Sequence, residues 1–145
     1  MRSTTLIATV LLAALSFSAA PALAKNHIVL DQFGFKNQAG GSQIGKHNTI
    51  GILQSGAFNT AIANQDGKHN LGVIGQQGVG NFGQIDQTGS HNQAGLGQFG
   101  SGNSGTITQN GHGNVAAGVQ VGHGCDANVN QNGTGNVSAF VQDCM

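Results

Sequence analysis

The stretch Gln54-Ser55-Gly56-Ala57-Phe58-Asn59-Thr60-Ala61-Ile62-Ala63-Asn64 runs without a gap into Gln65-Asp66-Gly67-Lys68-His69-Asn70-Leu71-Gly72-Val73-Ile74-Gly75. The two segments agree at Gln, at the Gly two residues on, and at the Asn three residues after that. The agreement spreads in both directions with a step of 11: Gln32, Gln43, Gln54, Gln65, Gln76, Gln87, Gln98, Gln109, Gln120, Gln131 and Gln142 form an unbroken series. The chain has 15 Gln, so chance would place about one or two in any single phase of such a repeat. A second column holds Gly34, Gly45, Gly56, Gly67, Gly78, Gly89, Gly100, Gly111, Gly122 and Gly133, with Cys144 in the last place. A third holds Asn37, Asn48, Asn59, Asn70, Asn81, Asn92, Asn103, Asn114 and Asn136, with Cys125 as the one substitution.

Between each Asn and the next Gln lies a second pattern. Two residues after Asn the side chain is small, as at Ala39, Ala61, Gly72, Gly83, Ala94, Gly105, Ala116, Ala127 and Ser138, with Ile50 the exception. Four residues after Asn it is mostly apolar, as at Ile52, Ala63, Ile74, Ile85, Leu96, Ile107, Val129 and Phe140, with gaps at Gly41 and Gly118. Asn, small, apolar and Gln therefore alternate on one face at period two, which is strand spacing. The x-Gly-x-x stretch between Gln and Asn reads as the turn, because Gly tolerates positive φ.

One such strand is unstable alone, so the units must stack. Two units make a strand-turn-strand-turn coil of 22 residues. Stacked coils give an all-β solenoid with two parallel sheets across a thin core. Coils about 4.8 Å apart would carry the five from Gln32 to Val141 over about 20 to 25 Å. Gln then stacks on Gln and Asn on Asn. A buried amide column is satisfied only as a continuous ladder, each group donating to one neighbour and accepting from the other.

Composition agrees with such an arrangement. Of 145 residues 25 are Gly, 7 % are charged, and neither Trp nor Tyr occurs. Low charge excludes a basic nucleic-acid binder and a self-repelling disordered tail. Residues 1–24 read as a signal peptide: a basic start, an apolar run from Leu6 to Phe17 too short to span a membrane, and Ala22-Leu23-Ala24 as the cleavage site. Residues 25–31 are a short N-terminal segment, 32–142 the repeat domain and 143–145 a tail. Beyond residue 24 there are four Lys, five Asp, and neither Arg nor Glu. The end coils expose unpaired backbone and open ladders, and neither terminal unit contains Pro. Open-ended, head-to-tail polymerisation into a cross-β fibre is the expectation.

Repeats of Gln-x-Gly-x-x-Asn-x-Ala-x-x-x-Gln behind a signal peptide resemble the curlins, subunits of the curli amyloid fibres of bacterial surfaces. The resemblance spans residues 32–142. It implies a secreted subunit of an extracellular surface fibre serving adhesion, colonisation and biofilm matrix. It implies as partners the chain itself, another curlin or nucleator, and an outer-membrane secretion pore with its chaperones. The Gln and Asn columns would be the fibre-forming ladder, and Lys25 to Asp31 a candidate export-targeting segment. It implies no cofactor.

Outward positions alternate with these columns. In the sheet built from units starting at Gln32, Gln54, Gln76, Gln98 and Gln120 they are mostly polar, as at Thr60, Asn64, Asp86, Thr106 and Asn128. The other sheet presents Leu53, Leu71, Val73, Val115, Val119, Val137 and Val141, an apolar face expected to bundle fibres. His47, His69 and His91 recur at a step of 22 along one edge. Solvated turn residues, a pH-sensitive assembly element and a metal site are the readings of that column. Cys125 and Cys144 are a candidate disulfide between coils, with free thiols or an intermolecular link as alternatives. No phosphate loop or paired carboxylates support an enzyme. A monomeric binding solenoid is the alternative, but a calcium roll needs Asp-bearing nonapeptides and an ice binder a regular Thr array, and neither is present.

Overall fold

In the computed structural model, which describes residues 25–145, each eleven-residue unit folds into one strand and one two-residue corner. The leader read at residues 1–24 lies outside the described residues. The strands are β1 (His27–Phe35), β2 (Gln38–Lys46), β3 (Thr49–Ala57), β4 (Thr60–Lys68), β5 (Leu71–Val79), β6 (Phe82–Ser90), β7 (Gln93–Ser101), β8 (Ser104–His112), β9 (Val115–His123), β10 (Asp126–Thr134) and β11 (Val137–Cys144). Odd strands form a six-stranded sheet in the order β1-β3-β5-β7-β9-β11, and even strands a five-stranded sheet β2-β4-β6-β8-β10. All pairs are parallel and in register, so that Gln54 lies beside Gln76 and Gln65 beside Gln87. The result is a stack of five and a half coils, a β-solenoid with no helix among the described residues.

The core is one side chain deep. Ile50, Ile52, Ile74, Ile85, Leu96 and Ile107 are buried along its middle with Ala61, Ala63, Ala94 and Ala116. The small column of one sheet faces the apolar column of the other: a Cβ on Gly83 would meet Ile74 Cγ2 at 3.0 Å, and one on Gly105 would meet Leu96 Cδ1 at 2.9 Å. Interiors are close-packed, so the large side chain of one sheet requires the small one opposite. The same rule accounts for the exceptions in both columns. Ile50, large where its column is small, reaches into the gap at Gly41, whose Cβ would lie 3.4 Å from Ile50 Cδ1. The Phe140 ring occupies the space above Gly118.

Two boundaries differ from the sequence reading. The repeat begins six residues earlier, because residues 27–31 belong to β1 and Asn26 occupies the Asn column. The corner also falls later than the x-Gly-x-x stretch: Gly34 and its counterparts are strand residues, and the chain turns at pairs such as Lys36-Asn37 and His47-Asn48. The glycines are required by close approach as well as by φ. At Gly56 φ is 126°, and a Cβ there would penetrate the carbonyl oxygen of Gly78 in the next coil. The left-handed corner residue is the one before Asn, with φ of 54 to 58° at Lys36, His47, Phe58, His69 and His91, and Gly at that place at Gly80 and from Gly102 onward.

Candidate functional site

The Gln columns lie inside the sheets, and from Gln54 to Gln131 every member is buried. Each Nε2 has two protons, and from Gln43 to Gln120 every member uses both. In Gln76, one is donated to Oε1 of Gln98 at 2.7 Å and the other to the Thr60 carbonyl at 2.9 Å. Gln65 repeats this with Gln87 Oε1 at 2.7 Å and the Thr49 carbonyl at 2.9 Å. The direction is constant: the donor always precedes its acceptor by 22 residues. Because the dipoles align head to tail, the ladder is polar and mutually reinforcing.

The Asn columns close the corners. Asn81 Oδ1 accepts from the Asn103 backbone N–H at 3.1 Å, and its Nδ2 donates to the Gly100 carbonyl at 3.1 Å. This second contact joins the Asn column to the Gly column. At position 125 the Cys backbone N–H still donates to Asn103 Oδ1 at 3.0 Å, but no amide stands there to continue the column. Cys125 is instead bonded to Cys144, with Cα atoms 5.6 Å apart, which fastens the end of β11 to the corner before β10.

Polarity leaves the two ends of the stack chemically different. At the N-terminal end Oε1 of Gln43 is shielded from water and has no hydrogen-bond partner among the described residues. At the C-terminal end Gln131 and Gln142 donate to the carbonyls of Val115 and Asp126, each at 3.0 or 3.1 Å. Among the described residues neither donates to a further Oε1, so each holds an unused N–H there. Acceptors face one way and donors the other.

The outer faces separate as the alternation requires. Leu53, Leu71, Val73, Val115, Val119, Val137 and Val141 are exposed on the six-stranded sheet, and Phe33, Phe99 and Val121 join them one residue after Gln. Sequence reading missed these three because it counted outward positions only up to Gln. Gly75, Gly95 and Gly97 leave a groove of about 580 Å³ on that face, walled by Val73, Val119 and Val141.

His47, His69 and His91 are brought together as the spacing predicts. Their rings stack at 4.8 and 4.9 Å, and His112 extends the column edge-on to His91 at 5.1 Å. Among the described residues no group of three or more His, Cys, Asp or Glu is placed to hold a metal ion. At the opposite corner Phe35 and Phe58 meet edge to face at 5.9 Å, with Lys36 Nζ over both rings.

Comparison with known families agrees with this geometry. The curlin associated repeat matches residues 26–56, 80–104 and 100–133, together more than half of the chain, and its first match starts at Asn26. No curated protein gives a significant match.

Proposed function

The chain belongs to the curlin family and is a structural repeat protein of the curli type, and from that premise we propose that it polymerises head to tail into extracellular fibres. The observation that carries the proposal is the complementarity of the two ends: the unpartnered Gln43 Oε1 at one, the unused N–H groups of Gln131 and Gln142 at the other. A buried amide oxygen without a donor costs about 1 to 3 kcal/mol. Docking a second copy removes that cost and pairs the edge strands, which are otherwise a template for any extended chain.

The fibre would be secreted to the cell surface and act in adhesion and biofilm matrix, with an outer-membrane pore and chaperones as export partners by family. The apolar sheet face supplies a surface for lateral bundling or contact with hydrophobic substrata. The test is polymerisation of purified chain. The expected result is a lag followed by thioflavin-positive fibres with cross-β diffraction, shortened by preformed seeds. A chain that stays monomeric at all concentrations overturns the reading. Seeding of a second curlin by this chain would assign it as the nucleator, and unaided growth as a major subunit.

A further inference from the structure

We infer that successive copies dock with a half-turn between them, β1 of the incoming copy completing the five-stranded sheet over β10 and its β2 covering β11; this rests on the head-to-tail reading above. The described residues form eleven strands, six in one sheet and five in the other. An odd count leaves half a coil open beside β11, above β10. Only β1 of the next copy fills that step without a hole. Placing β1 on β11 instead would leave its β2 two strand spacings above β10, with unpaired backbone and amide groups between them.

Two further observations agree with the half-turn. The open donors and acceptors pair completely: Gln131 donates to Gln32 of the incoming copy and Gln142 to the unpartnered Oε1 of its Gln43. The Asn136 Oδ1, which accepts nothing from a following unit, meets the Asn37 N–H, as Asn114 Oδ1 meets the Asn136 N–H within the chain at 3.0 Å. Shape agrees as well. Phe140 is the largest side chain in the apolar inner column and already occupies the space above Gly118. In the half-turn arrangement the residue stacked on its other side is Gly41 of the incoming copy, which brings no side chain against the ring; the space beside Gly41 is filled by its own Ile50, whose Cδ1 lies 3.4 Å from a Cβ built there. In the unrotated arrangement Phe140 would face Leu30.

A consequence follows for the fibre surface. Each half-turn exchanges the two sheets, so the apolar face of one subunit lies in line with the polar face of the next. Fibres then carry apolar patches on both sides, alternating along the axis.

Electron cryo-microscopy of fibres grown from the exported chain tests this directly. The expected symmetry is a rotation near 180° with a rise of about 26 Å per subunit, five and a half strand spacings. A rotation near zero, with a rise of about 29 Å for six spacings, overturns the inference and leaves polymerisation standing. Failure to form fibres overturns the underlying reading and the inference with it. A truncation gives a second readout, with monomer folding checked by circular dichroism. Phe140→Ala should slow elongation about tenfold, the equivalent of one buried aromatic contact. An unchanged rate in a folded variant overturns the contact.

Discussion

Gln76 Nε2 donates to Gln98 Oε1 at 2.7 Å, and both side chains are almost wholly buried, at 3 % and 0 % exposure. Neither amide has water to fall back on, so the ladder is held by its own continuity.

Interior and terminal rungs should therefore differ in stability. Gln87→Ala strips the acceptor from Gln65 and the donor from Gln109, both buried. Two orphaned groups make the loss about 2 kcal/mol or more. Gln32→Ala, at an exposed end, orphans only Oε1 of Gln54 and should cost about half of that or less. Denaturant unfolding of freshly prepared monomer ranks the two, and equal losses would refute a ladder-based core.

Glycines divide into two kinds that composition does not distinguish. A methyl at Gly78, where φ is 129°, collides with the Gly100 backbone of the next coil, which cannot rotate away. Gly78→Ala should prevent folding or cost several times more than Gly95→Ala, which places its methyl in open space. At the latter site a neutral or slightly stabilising effect, within about 1 kcal/mol, is expected from reduced unfolded-state entropy. Thermal melts of the two variants give the comparison.

Corner strain can be relieved. Phe58 has φ 58° and is exposed, while the same place holds Gly80 and Gly102 in later coils. A left-handed conformation costs an L-residue about 1 to 2 kcal/mol. The edge-to-face contact with Phe35 and the nearby Lys36 return part of that. Phe58→Gly should change stability by less than about 1 kcal/mol, far from the loss expected on truncating a core aromatic. A drop of several kcal/mol in the unfolding free energy would show that the aromatic corner holds the first coils together.

The disulfide joins residues 19 apart and anchors the last strand. In the chain-entropy model such a closure contributes about 3 kcal/mol. Reduction should lower the denaturation midpoint and loosen β11 first, seen as faster amide exchange from Val137 to Cys144 than in β5. Mass spectrometry without reductant checks the linkage itself, and an unbridged monomer would contradict it.

Bundling is expected to follow the apolar sheet. Val73, Val119 and Val141 wall its groove, and Thr at all three keeps the strand preference while removing the greasy surface. Thinner, dispersed fibres in electron micrographs are the expected outcome, and bundles of unchanged width would assign lateral contact to another face.

Much of this was legible in one dimension because the fold is itself nearly one-dimensional. Each residue meets its copy 22 positions away, so the period of Gln, Gly and Asn determined the strands, the parallel register, the two sheets and the apolar face. The exceptions were not legible singly. Ile50 and Gly41 look like lapses in separate columns, and only packing across the core shows that one fills the space the other leaves. The same holds for Phe140 above Gly118, and for the corner, which sits after the glycine because the glycines pair with one another as strand residues. Ladder direction was likewise beyond the sequence. An amide column can run either way, and the second Nε2 proton, donated back to a strand carbonyl, decides which end keeps the acceptor and which the donor.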